Sequence, residues 1–176
     1  MNERIAQSIE GMQLVASCLT HQRFVVSPSL RERPEAWSIE FREPAPLRGH
    51  GLLRGSRLAI EVDLRQSGDG LGAETTRYAY TLLDHAGREL LAFHWHPGGR
   101  SPVAFPHLHV SAALRSTTPS GAAAVLPLDK VHVPTGHLSV AAAIRLLVAE
   151  LGVTALTTDW PNRLDRADTM LPAFPA

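Results

Sequence analysis

Apolar and polar residues alternate along the middle of the chain, a pattern typical of antiparallel strands that bury one face. In the segment 57–65, every second residue is apolar and most of the residues between are charged. The turn from Asp84 to Gly87 joins two β-rich segments into a predicted hairpin. A short β-rich segment covers 24–26, and six further strands are predicted, at 37–41, 57–65, 76–83, 89–96, 103–110 and 130–133.

Other segments repeat their apolar residues at the helical period. The first covers 3–19. The second covers 139–151, where Ser139 is a good N-cap residue. A short helix is expected at 162–168, and the tail 157–176 is expected to form a packing arm of its own.

Together these elements predict an α+β fold. We expect an antiparallel meander of about five to six strands, with an N-terminal and a C-terminal helix packed on it. The length of 176 residues fits a single domain over 1–176. A hydrophobic fraction of 44% is enough to bury a core, which excludes wholesale disorder.

The composition excludes several classes of protein. No apolar run reaches the roughly 20 residues of a membrane-spanning helix, and residues 1–8 lack the apolar core of a signal peptide. A cytoplasmic protein without membrane contact is therefore expected. The 17 basic and 17 acidic residues balance, so the net charge does not indicate a strongly basic nucleic-acid binder. Cys18 is the only cysteine, which excludes an intramolecular disulfide and a cysteine-ligated zinc site.

Histidine carries the main chemical signal, because six of the nine histidines lie between His94 and His137. Residues i and i+2 of a strand point to the same side. We therefore expect two His-x-His pairs on neighbouring strands to place four imidazoles on one patch of the sheet. In the expected register, His94 lies opposite His109 and His96 lies opposite His107.

One interpretation of this patch is a site for one transition metal such as Zn²⁺. Imidazole is a common ligand of such ions, and two His-x-His pairs can offer three or four nitrogens to one ion. The candidate ligands are His94, His96, His107 and His109. The segment 91–110 has no Asp or Glu, so a carboxylate ligand would come from elsewhere, for instance Glu61 or Asp63.

A second interpretation is acid–base catalysis without a metal or other cofactor. A neutral and a protonated histidine can together take and return a proton near pH 7, and an Arg can hold a phosphate. Arg100 lies between the two His-x-His pairs, and Lys130 lies near His132. In a third interpretation the histidines have no catalytic or metal-binding role and are simply solvent-exposed or hydrogen-bonded.

Three short motifs carry a resemblance to a known family. The family shows a Leu-x-Ile-x-Glu strand, a Tyr-x-Tyr-x-Leu-x-Asp hairpin that continues through Gly, Leu and Phe, and a Phe-Pro-His-x-His stretch; in this chain the Glu of the first motif directly follows the Ile. The matching residues are Leu58, Ile60, Glu61, Tyr78, Tyr80, Leu82, Asp84, Gly87, Leu90, Phe93, Phe105, Pro106, His107 and His109. With these motifs the run 53–110 resembles the TumE-type toxins of toxin–antitoxin systems. The chain departs from them at His94-Trp95-His96-Pro97, where that family tends to have Asp-Asn-Ala-Pro-His, and in the inserted residues 111–137.

The resemblance implies a cytoplasmic, toxin-like ribonuclease that attacks RNA and is held in check by an antitoxin protein. Under this interpretation His107 and His109 are the first catalytic candidates, followed by His94 and His96. Substrate-binding helpers would be Arg100, Tyr78 and Lys130.

A non-catalytic interaction module is the remaining alternative. Its exposed sheet or its C-terminal helix would bind a partner, and a homodimer is one form of such binding. Exposure of Leu147 and Leu151 would favour it, because an unshielded apolar stripe usually marks a partner surface.

Overall fold

The strands form one antiparallel sheet, and the amphipathic helices pack on one side of it. The computed structural model describes residues 3–29, 36–68, 70, 72–98, 103–111 and 132–175. The helices are α1 (Glu3–Ala16), α2 (Val140–Ala149) and α3 (Trp160–Asp168), with a 3₁₀ turn at Gly51–Leu53. The strands are β1 (Phe24–Pro28), β2 (Ala36–Phe41), β3 (Ala45–Pro46), β4 (Arg57–Gln66), β5 (Ala73–Leu83), β6 (Glu89–Trp95), β7 (His107–Val110) and β8 (His132–Pro134).

The sheet is a meander, as the sequence predicts. Its spatial order is β1-β2-β4-β5-β6-β7-β8, with β3 paired to β4, and every pairing is antiparallel. The α+β class is thus confirmed, but the expected count of five to six strands is too low. The 24–26 segment extends into a five-residue edge strand, β1, and the two-residue strand β3 has too few residues to show an alternating pattern.

The two faces of the sheet have different chemistry because side chains alternate along each strand. The core face of β4, β5 and β6 is apolar. Helix α1 packs on β4 and β5, and α2 and α3 pack against α1 and against each other in the same core. Tyr78 is fully buried there, and its hydroxyl accepts a hydrogen bond from the backbone N–H of Leu138 at 3.2 Å. The opposite face, which we call the histidine face, carries Glu61, Asp63 and Arg77 beside the histidines of β6, β7 and β8.

The helices close over the core at short distance. A Cβ added to Gly11 of α1 would lie 2.8 Å from the Cβ of Met170, so glycine allows this close approach near the end of α3. Leu164 and Ala167 of α3 are fully buried, and Ala173 exchanges backbone hydrogen bonds with β5. The tail 157–176, predicted to be a separate arm, therefore contributes to the common core.

The apolar stripe of α2 faces this core. Leu147 is 4% exposed and packs in the core, while Leu151, beyond the helix end, is 37% exposed. The stripe expected to favour a homodimer is thus largely covered by the chain itself. None of the helices in the described part of the chain is long and apolar enough to span a membrane.

Ser139 caps the N-terminus of α2, and this role can be tested by mutation. Ser139 Oγ accepts a hydrogen bond from the N–H of Ala142 at 3.1 Å, which satisfies one of the open donors of the first helical turn. We expect Ser139→Ala to lower the free energy of unfolding by about 1 kcal/mol in urea titrations. Ser139→Asp keeps an acceptor and should cost less. Equal losses in both variants would contradict the capping role.

Candidate metal centre

Five histidines from three neighbouring strands meet on the histidine face. His94 belongs to β6 and His96 follows directly after it; His107 and His109 belong to β7 and His132 to β8. Adjacent rings lie 4.6 to 6.0 Å apart between centroids. His107 is buried at 4% exposure, and the other four histidines are half-buried.

The register between β6 and β7 differs from the predicted one by two residues. His94 lies opposite His107, and His109 lies opposite Ala92. Strand β6 ends at Trp95 because Pro97, which has no N–H, soon follows, and β7 begins directly after Pro106. A shift of two residues keeps every side chain on its face, so the histidines still share one side of the sheet.

Three of the five histidines form a compact group. His94, His107 and His109 each offer one ring nitrogen, and these three nitrogens all lie within 4.8 Å of one another. Two of the rings come from one strand and the third comes from its neighbour. Such a set can converge on one ion with small side-chain movements, because zinc–nitrogen bonds are about 2.0–2.1 Å long.

The contacts of His107 and His109 leave one ring nitrogen of each residue available for an ion. The Nδ1 of His107 lies 2.8 Å from the carbonyl oxygen of Phe105, which can only accept, so Nδ1 carries the proton and Nε2 keeps its lone pair. The Nε2 of His109 is buried and has no hydrogen-bond partner among the residues that the structure describes. Its Nδ1 lies 3.9 Å from Glu89 Oε1, the kind of carboxylate that often orients a metal-binding histidine.

The electrostatic environment keeps two of the three rings neutral. Burial, reinforced by His109, His96, His107 and Arg77, lowers the pKa of His94 from 6.5 to about 4. Burial, with the neighbouring His107 and His132, also lowers the pKa of His109. Neutral imidazole is the form that binds a metal ion, whereas a general acid at pH 7 must be protonated.

His96 is bound to a charged network rather than to the other rings. Arg77 Nε donates to His96 Nδ1 at 2.7 Å. Because a guanidinium only donates, the proton of neutral His96 lies on Nε2 and no lone pair is left for a metal. This arrangement removes His96 from the predicted ligand set.

The two expected carboxylate ligands belong to the same network. Arg77 donates to Glu61 Oε2 at 2.6 Å and to Asp63 Oδ2 at 3.4 Å. Both carboxylates are thus paired with the guanidinium of Arg77. The carboxylate that does lie beside the three-histidine group is Glu89.

Of the three predicted substrate-binding residues, Tyr78 alone lies in the described structure, and it does not join this group. Tyr78 lies on the core face, fully buried, because it alternates with Arg77 along β5, so its predicted role as a substrate-binding helper is corrected. Arg100 and Lys130 lie outside the described residues, and their roles stay predictions.

His132, Glu89 and Arg77 are the site residues that the sequence interpretation missed. His132 falls in the predicted strand 130–133, and a meander places that strand beside 103–110, so its position had a signal. No sequence pattern indicated Glu89, because an irregular pairing between β5 and β6 turns its side chain to the histidine face.

The depressed pKa of His94 predicts acid sensitivity of the metal-free protein. In the unfolded chain His94 becomes protonated as the pH falls below 6.5, whereas in the folded chain it stays neutral down to about pH 4. The free energy of unfolding therefore falls as the pH is lowered from 6.5 to about 4. Allowing for partial solvent contact, we expect a loss of about 1–2 kcal/mol between pH 7 and pH 5. The loss should shrink in His94→Gln, measured by urea unfolding at each pH. An identical pH slope in both proteins would refute this.

Comparisons with known proteins add no assignment to these observations. No family model, no curated protein and no solved structure was found to match the chain.

Proposed function

We propose that this protein binds one divalent transition-metal ion, best matched by Zn²⁺, through His94, His107 and His109. The observation that carries the proposal is the convergence of three ring nitrogens within 4.8 Å. In the same group, the buried Nε2 of His109 has no protein partner in the described part of the chain. A buried polar atom without a partner costs about 1–3 kcal/mol, and a bound ion would remove that cost.

The surroundings of the three rings support a metal more than proton transfer. Phe105 O and Glu89 lie beside the Nδ1 atoms of His107 and His109, which leaves the Nε2 atoms of both rings available to bind an ion. The lowered pKa values of His94 and His109 favour the neutral, metal-binding form at pH 7. An all-imidazole set suits zinc, copper, nickel or iron rather than magnesium or calcium, which prefer oxygen.

Equilibrium dialysis against Zn²⁺ tests the proposal. We expect one ion per chain in the wild type and none in a His94→Ala/His107→Ala/His109→Ala variant whose circular dichroism shows a folded protein. The control is His50→Ala, because His50 is exposed and its side chain makes no capping hydrogen bond. Equal zinc binding in the triple variant, or none in the wild type, would overturn the site.

The toxin-like ribonuclease, its RNA substrate and its antitoxin partner stay predictions based on the resemblance. Metal-free acid–base chemistry needs one imidazolium near pH 7, and the lowered pKa values of His94 and His109 make these two rings poor donors of that proton. RNA cleavage by the protein in excess chelator, lost in His107→Ala, would favour the ribonuclease. Cleavage only with added Zn²⁺ would assign the chemistry to the metal.

A further inference from the structure

A fourth imidazole stands at the outer side of the three-histidine group. His132 of edge strand β8 lies opposite His109, with 4.6 Å between ring centroids. It also stacks on His107 at 4.9 Å with an angle of 7° between the ring planes. Its Nδ1 is buried without a hydrogen-bond partner among the residues described, as is the Nε2 of His109. Two neighbouring rings thus each keep a buried nitrogen that the described chain leaves unpaired.

The strand that carries His132 has few contacts of its own with the sheet. Strand β8 has three residues, and among the described residues it pairs with β7 alone. One of the three is Pro134, which cannot donate a hydrogen bond to the ladder. Val133 is 40% exposed, so the strand gains little from apolar burial. A bond from His132 to an ion held by β6 and β7 would therefore be a large fraction of what fixes β8.

We propose that His132 is the fourth ligand of the metal and that metal binding fixes strand β8 on the sheet. This proposal rests on the proposed function, since it needs the ion at His94, His107 and His109. His132 lies outside the three nitrogens that are within 4.8 Å of one another, so its side chain would have to move for one of its nitrogens to reach the ion. Four protein ligands make a closed, tetrahedral zinc site, the type that stabilises structure instead of activating water.

Strand β8 leads directly into the connection to α2, so an ion bound through His132 would affect that connection. Five residues separate β8 from α2, and they are tied to the sheet through Thr135 N–H to Pro106 O and through Leu138 N–H to the Tyr78 hydroxyl. His137 in this connection stacks on Phe174 at 4.6 Å. Metal occupancy would thus set the order of β8 and of the chain leading into α2. This is the arrangement expected of a metal sensor or a metal-stabilised binding module.

Hydrogen exchange measured by mass spectrometry tests the inference, with Zn²⁺ itself as the probe. We expect Zn²⁺ to slow amide exchange over residues 132–136 of the wild type and of the His50→Ala control by about tenfold or more. In His132→Ala this protection should be absent. Since a residue that only orients a ligand contributes about 10–100-fold to metal affinity, the loss of a direct ligand should weaken zinc binding at least about 10-fold.

The outcomes separate this inference from the proposed function. Wild-type zinc affinity and protection in His132→Ala would overturn the role of His132 and leave the three-histidine site standing. Absence of zinc binding in the wild type would overturn both. Should His132→Ala fail to fold, His132→Gln takes its place. Loss of β8 protection in Glu89→Gln but not in the His132 variants would assign the fourth position to the carboxylate and also overturn the inference.

Discussion

Arg77→Met should lower the free energy of unfolding by about 3 kcal/mol. Arg77 is 16% exposed at its side chain and bonds to Asp63, Glu61 and His96. Asp63 is 1% exposed at its side chain, and its second oxygen, Oδ1, has no hydrogen-bond partner among the described residues. Removing the guanidinium would leave a buried carboxylate without its counter-charge, which is the costly way to break an ion pair.

Two further variants make this experiment specific. Adding Asp63→Asn to Arg77→Met removes the stranded charge, so the double variant should recover most of the loss in urea unfolding. Arg65→Met is the matched control, because Arg65 pairs with Glu74 on the same two strands but is 52% exposed, and exposed pairs contribute about 0–1 kcal/mol. Equal losses at the two arginines would show that Asp63 does not depend on Arg77.

Zinc should raise the melting temperature of the wild-type protein by about 5–10 °C. At a free concentration of about 100 times Kd, a ligand that binds only the folded state adds about 2.7 kcal/mol. For a chain of this size each kcal/mol corresponds to about 2–4 °C. The shift should disappear in His107→Ala, because His107 supplies one of the three converging ring nitrogens.

Calorimetry on the metal-free and zinc-loaded proteins checks this shift. Mg²⁺ should produce no comparable shift, since it prefers oxygen ligands. His50→Ala should respond like the wild type. A zinc shift that persists in His107→Ala would place the bound ion elsewhere on the protein.

Sequence alternation was sufficient to predict which side of the sheet the histidines occupy. Because side chains alternate along 89–96 and 103–110, both His-x-His pairs lie on the face opposite Trp95 and Leu108. This holds for any shift of the pairing by an even number of residues. The exact partner of His94 was not predictable, because it depends on where β6 and β7 end, and prolines at 97 and 106 set those ends.

The charged residues around the histidines were harder to predict because they depend on pairing across strands. Glu89 has an odd number in a strand whose odd-numbered residues face the core, and only the extra residue at Leu90 turns it to the histidine face. Arg77 looks like an ordinary exposed strand residue in the sequence. Its contacts with Asp63 and His96 exist only because β4, β5 and β6 are adjacent.

X-ray absorption at the zinc edge of the loaded protein tests the central claim most directly. The three-histidine site predicts nitrogen neighbours at about 2.0–2.1 Å with the multiple-scattering pattern of at least three imidazoles, reduced in number in His109→Ala. A shell made of oxygen alone, or a spectrum unchanged in His109→Ala, would show that the converging rings of β6 and β7 are not the metal site.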